Sequence, residues 1–270
     1  MQLTPVALII LLSSLPATVP AQQETGFLNR SIVTRGSTTR YQVYVPADYS
    51  RGREWPVILF LHGAGERGTD GLRQTQVGLG TAIRQHPDWF PAIVVMPQSP
   101  PDSIWRGAAA DGAVAAMEAA VKEFRGDRHR LYLAGLSMGA YGAWTMALKR
   151  PRMFAAIVAV CGGLLPPTHF TELDAGLREA DPYAELARRL TGTPVWLFHG
   201  AQDSVVSPVE SRRIHAAFHQ AGSRSNYTEY PDVGHESWDP AFSDLMLYGG
   251  SGCSSSGASG HIALTARRHA

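Results

Sequence analysis

Residues 130–150 read Arg-Leu-Tyr-Leu-Ala-Gly-Leu-Ser-Met-Gly-Ala-Tyr-Gly-Ala-Trp-Thr-Met-Ala-Leu-Lys-Arg, and Pro151 closes the run. A short apolar segment, a Gly-Leu-Ser-Met-Gly turn and a helical pattern follow one another without a break. This order constrains the chain more than any other stretch. A strand over 131–134 delivers Ser137 to a turn so tight that Gly135 and Gly139 must lack side chains. A helix from Met138 then aims its N-terminal dipole at the serine. A serine held in that way points its Oγ outward.

The rest of the chain supplies a matching frame. Residues 56–61 (Pro-Val-Ile-Leu-Phe-Leu) are almost continuously apolar, as befits a strand covered on both faces, and 92–96, 131–134, 155–160 and 195–198 repeat that character. Residues 32–34 and 41–45 alternate instead, which suits half-buried antiparallel strands. Helical patterns lie between them, clearest over 111–124, where Val114, Met117, Val121 and Phe124 fall on one face, and again over 208–220. Alternating strands and helices predict an α/β fold with a mostly parallel, doubly wound sheet and helices on both faces. Ligands of such sheets bind beyond the carboxyl ends of the strands. With 270 residues, 44% of them hydrophobic, and no linker, residues 22–248 read as one domain.

The ends read differently. Residues 1–21 carry an apolar core from Val6 to Leu12 and finish Val19-Pro20-Ala21, small residues of the kind a signal peptidase reads, although Met-Gln-Leu-Thr adds no basic side chain. The expectation is an exported chain, secreted or periplasmic. No segment approaches the roughly 18 apolar residues of a membrane span, so no stable membrane insertion is expected after processing. Residues 249–270, rich in Gly and Ser, read as a disordered tail. Of the two cysteines, Cys161 reads as a small core residue rather than half of a bridge to Cys253. A formal net charge of +1 with interspersed signs leaves no footprint for nucleic acid. The expected partner is a small or neutral molecule.

A serine hydroxyl is a poor nucleophile until a base takes its proton, and that base needs an acid to fix its tautomer. In α/β-hydrolases these groups follow in the order Ser, Asp or Glu, His. Here Asp203 falls in His-Gly-Ala-Gln-Asp-Ser-Val-Val after the strand over 195–198, and His235 in Asp-Val-Gly-His-Glu-Ser-Trp after the run over 227–230. Asp203 lies too far upstream to cap the helix near Pro208, a task that suits Ser207. Among ten histidines, His215 and His219 sit on a helical face, His86 precedes a proline and His169 lies in a loop. Two backbone N–H donors must also hold an oxyanion. Met138 follows the nucleophile, and Ala64 lies in Leu-His-Gly-Ala-Gly-Glu-Arg-Gly (61–68) after an early strand. That loop has neither P-loop nor dinucleotide-binding spacing, and His62 reads as its brace. No metal is expected, since no residues have ligand spacing, and no cofactor is needed. Trp105 and Trp238 are the candidates for walls of a substrate pocket.

Together, Leu61 to Gly68, Gly135-Leu136-Ser137-Met138-Gly139, Asp203 and Gly234-His235-Glu236-Ser237-Trp238 resemble the secreted α/β-hydrolases related to feruloyl and acetylxylan esterases, polyhydroxybutyrate depolymerases and so-called predicted peptidases. The resemblance runs from about residue 41 to 248. It implies an α/β-hydrolase fold and a serine carboxylic ester hydrolase with Ser137, His235 and Asp203 as its triad, acting on short-chain or aromatic acyl groups. A prolyl-oligopeptidase-like peptidase is one alternative, set back by the absence of a preceding β-propeller. A non-catalytic binding module is another, though it would normally have lost a triad member. The group usually ends in a helix carrying Trp-Leu, where this chain turns to Gly-Gly-Ser-Gly.

Overall fold

The structure, a computed structural model, describes residues 24–168, 170–244 and 247. The leader over 1–21, His169, Cys253 and the tail over 249–270 lie outside the described residues. Eight strands form one sheet: β1 (Gly26–Thr34), β2 (Ser37–Val45), β3 (Trp55–Leu61), β4 (Ile93–Pro97), β5 (Gly126–Leu136), β6 (Ala156–Val160), β7 (Val195–Gly200) and β8 (Ser225–Tyr230). Their order is β1-β2-β4-β3-β5-β6-β7-β8. The β1–β2 and β2–β4 pairs are antiparallel, and every pair from β4 to β8 is parallel.

Strand alternation splits the apolar residues into two cores. Val57, Leu59 and Leu61 of β3 face one side, with Leu131 and Leu133 of β5 and Ile157 of β6. Ile58, Phe60, Tyr132, Ala134 and Val158 face the other. The first side is covered by α2 (Gly107–Glu123), α3 (Met138–Lys149), α4 (Pro182–Arg189) and α5 (Val209–Gln220), and the second by α1 (Leu79–Gln85) and α6 (Trp238–Phe242). Both faces of the central strands are therefore dry, which accounts for their unbroken apolar sequences. Phe242 of α6 meets Phe60 edge-on, with centroids 5.6 Å apart, and so ties the segment after His235 to the middle of the sheet.

Some boundaries differ from the sequence reading for physical reasons. The helix expected from 111 begins at Gly107, because Gly-Ala-Ala-Ala has helix propensity but no amphipathic pattern to announce it. β5 starts at Gly126 rather than 131, its polar Gly-Asp-Arg-His-Arg segment joining the sheet through backbone pairing of Gly126 with Trp55. Ser207 is not the N-cap of α5. Pro208 holds that place, and the Ser207 hydroxyl only reaches the Val209 N–H at 3.4 Å.

Candidate active site

Four loops at the carboxyl edge of the sheet meet at one point: those after β3, β5, β7 and β8. At the end of β5, Ser137 has φ 50° and ψ −119°, a conformation costing a non-glycine residue roughly 1–3 kcal/mol. The neighbouring packing holds it there. The Ser137 N–H donates to the Val160 carbonyl at 2.9 Å. A Cβ on Gly139 would stand 1.9 Å from the Leu61 carbonyl oxygen, and one on Gly135 2.3 Å from that of Gly139. Only hydrogen fits at either position, so α3 packs close to the end of β3 and pushes the serine out.

The hydroxyl meets His235, whose Nε2 lies 3.0 Å from Ser137 Oγ. On the far side of the ring, Nδ1 lies 2.7 Å from Asp203 Oδ2. A carboxylate only accepts, so Nδ1 carries the hydrogen and Nε2 accepts from Ser137. Asp203 is buried and richly paired. Its Oδ1 accepts the N–H groups of Val205 (2.8 Å) and Val206 (2.9 Å), and its Oδ2 faces both His235 and His199. Burial alone would push its pKa up, yet the hydrogen bonds from His199, His235 and Val206 hold it well below the usual carboxylate range. Asp203 is thus an anion at any working pH, able to fix the tautomer of His235 and to stabilise its cation.

His199 was not anticipated as part of this group. Its fully buried ring donates from Nε2 to Asp203 Oδ2 (3.1 Å) and to the Val206 carbonyl (3.0 Å), while Nδ1 pairs with the Ser211 hydroxyl at 2.7 Å. The signal was present as a histidine four residues before Asp203 at the end of an apolar strand, although nothing in that spacing reveals that both side chains turn the same way.

The loop after β3 is braced from beneath. His62 is buried, accepts the Ser99 N–H at Nε2 (3.0 Å), and points Nδ1 at the Gly63 carbonyl (2.6 Å). Burial pushes its pKa down to about 4, so the ring is neutral. Trp105 donates its indole N–H to the His62 carbonyl at 2.9 Å. Expected as a pocket wall, Trp105 is instead 1% exposed and part of the core, where it supports the loop, and its neighbour Ile104 lines the pocket. Trp238 is half-buried and stands edge-on to the His235 ring at 5.6 Å. Ala64 and Met138, the two expected oxyanion donors, line one cavity with Ser137, Ile104, Phe170 and Val206. The cavity measures about 30 Å³. Cys161 lies beside this group as a free, buried thiol.

A mostly parallel sheet of this order, with a serine on a strained strand-to-helix turn beside a histidine and a buried acid, is the arrangement of the α/β-hydrolase fold. Residues 103–246 match the prolyl oligopeptidase family, and the chain belongs to that family. It is 26% identical over 240 residues to an uncharacterized secreted protein of Arthroderma benhamiae, an alignment covering 80% of this chain and 25% of that protein. The chain therefore spans about a quarter of the length of that relative. Among solved structures it is similar to a thermostable esterase, with 30% identity and a TM-score of 0.65 over 81% of this chain and 60% of that one. A ferulic acid esterase (18% identity, TM-score 0.64, 80% of this chain and 94% of that one) shares the fold. So does the Pyrococcus horikoshii acylaminoacyl peptidase (16%, 0.59, 83% and 40%).

Proposed function

We propose that this chain is an exported serine hydrolase of carboxylic esters with short-chain or aromatic acyl groups, including those carried on polysaccharides. The observation that carries the reading is the chain of hydrogen bonds from Ser137 through His235 to Asp203 on a turn that presents the hydroxyl outward. Ser137 Oγ attacks the ester carbonyl carbon as His235 Nε2 takes its proton. The oxyanion rests on the N–H groups of Ala64 and Met138, and Asp203 balances the imidazolium. Collapse breaks the bond to the alcohol, which leaves with the proton from His235. Water then repeats the sequence on the acyl-enzyme and releases the acid.

His235 must reach the leaving oxygen, and it does not line the cavity beside Ser137, so that cavity receives the acyl group. The cavity is narrow and walled mainly by apolar side chains, which favours short or flat acyl groups over long chains. Two of the solved neighbours bear esterase names and support the ester reading. A peptidase activity is the competing reading, since the family takes its name from a peptidase and one neighbour is a peptidase. Export is supported by the apolar run near the N-terminus and by the secreted relative. The test joins fluorophosphonate labelling, expected on Ser137, with a series of nitrophenyl esters from acetate to palmitate, methyl ferulate and a prolyl peptide amide. The short or aromatic esters should have the highest kcat/KM. A best rate on palmitate or on the amide would replace this assignment with a lipase or a peptidase.

A further inference from the structure

Arg67 takes no part in the chemistry above, yet it lines the cavity that holds Ser137 and Met138. Its Nε donates to the Ala64 carbonyl at 3.0 Å, which places the guanidinium beside the oxyanion loop. Among the described residues, its two terminal nitrogens have no protein acceptor and no carboxylate pairs with it. The adjacent acid does not neutralise it. Glu66 turns inward, where it accepts the Gly63 N–H and stands 4.0 Å from His62 Nδ1. Apart from Ser137 and Tyr141, whose hydroxyl donates to the Leu165 carbonyl, the remaining walls are apolar, among them Ile104, Phe170, Leu173 and Val206.

A guanidinium is charged at every working pH, and on the wall of an apolar slot it is a poor neighbour for a purely hydrocarbon chain. Its unused edge matches a carboxylate, which would accept two parallel N–H bonds. The apolar walls suit a few methylenes between that carboxylate and the ester carbonyl. A net charge near zero over the whole chain does not weaken this, because recognition at the site depends on the local cation.

We propose that Arg67 makes the acyl pocket an anion-reading subsite, selecting monoesters of short dicarboxylic acids. The proposal deepens the ester-hydrolase reading and rests on it. The decisive comparison is ethyl butyrate against monoethyl succinate, followed by pH-stat near neutral pH, since the two acyl chains differ only in a terminal methyl or carboxylate. In the unaltered protein at low ionic strength, kcat/KM should favour the succinate monoester by about tenfold or more, as a charge-assisted hydrogen bond at a partly exposed site allows. The ratio should shrink as NaCl rises to about 0.5 M. In Arg67→Gln it should fall to one or below, and Arg67→Lys should keep part of it. Because Arg67 also holds the Ala64 carbonyl, both absolute rates will drop in these variants, and the ratio isolates selectivity. A wild-type ratio near one, a ratio indifferent to salt, or a preference that survives Arg67→Gln overturns the subsite and leaves the ester reading standing. Turnover of neither ester overturns the ester reading itself.

Discussion

Acid should destabilise this protein through His62 before Asp203, its depressed carboxylate, matters. In the fold the ring is neutral, with Nε2 occupied by the Ser99 N–H and Nδ1 by the Gly63 carbonyl. Burial is the main cause of its pKa of about 4, the Gly63 carbonyl opposes that shift, and the Arg67 charge adds to it. The unfolded ring takes up a proton near pH 6.5, so between the two values the unfolded chain binds more protons and stability falls as pH falls. Integrating one such group gives a loss of roughly 2 kcal/mol from pH 7 to pH 5 and about 3 kcal/mol by pH 4. Carboxylates with depressed pKa values act lower on the scale, whereas Glu66 and Asp239, pushed up by burial, act with the opposite sign and gain stability as pH falls. Asp203, with its pKa depressed, contributes stability above about pH 4, which is lost only as pH falls through its lower folded value. Half-buried His215, also shifted down by burial, adds a loss of the same sign, so a variant is needed to isolate His62. Urea unfolding at pH 7, 6 and 5 should show His62→Gln less stable than the unaltered protein at pH 7. The gap should narrow by about 2 kcal/mol at pH 5. Parallel stability curves across that range would refute the argument.

Ser137→Ala and His235→Ala should each lower kcat by something on the order of 10⁴ to 10⁶, and Asp203→Asn should also be severe because its amide favours the wrong tautomer of His235. Circular dichroism should show all three folded, and near-normal turnover in any of them removes that residue from the mechanism. His199→Phe should cut kcat about 10- to 100-fold with KM little changed, the loss of one hydrogen bond to a buried anion. His199→Gln, which keeps an N–H donor, should recover much of it, whereas equal damage in both would mean that only packing is at stake. Gly139→Ala should cost about 3 kcal/mol, as an added carbon would overlap the Leu61 carbonyl. An unchanged urea midpoint would show that the turn can open.

The sheet was legible because its central strands are buried on both faces, so 56–61, 155–160 and 195–198 stand out as apolar runs, and β1 because it alternates; residues 41–45 of β2, read as half-buried, are instead buried throughout, because β2 lies inside the sheet between β1 and β4. Ser137, Asp203 and His235 were legible from their order and from the strand that precedes each. Elements held by backbone pairing or by bland composition were harder to see. The polar start of β5 and the Gly-Ala-Ala-Ala turn of α2 carry no periodic signature. α1, seven residues after a positive-φ Gly78, is too short to build one. Side-chain direction was the other gap. Trp105 and Trp238 are both tryptophans near the site, yet one is sealed beneath the oxyanion loop and the other stands against His235. No local pattern distinguishes a wall from a brace, or shows that His199 and His235 share one carboxylate oxygen.

The strand order has a kinetic consequence. Ser137 sits at the end of β5, in the middle of the sheet, but His235 follows β8, an edge strand, which pairs with β7 alone and is only half-buried along its length. During refolding, most of the sheet and its helices can close before β8 docks, so ellipticity should recover ahead of hydrolysis. On heating the order reverses: fraying at that edge should withdraw the histidine while the central strands stay paired, so the proposed activity should be lost before the sheet melts.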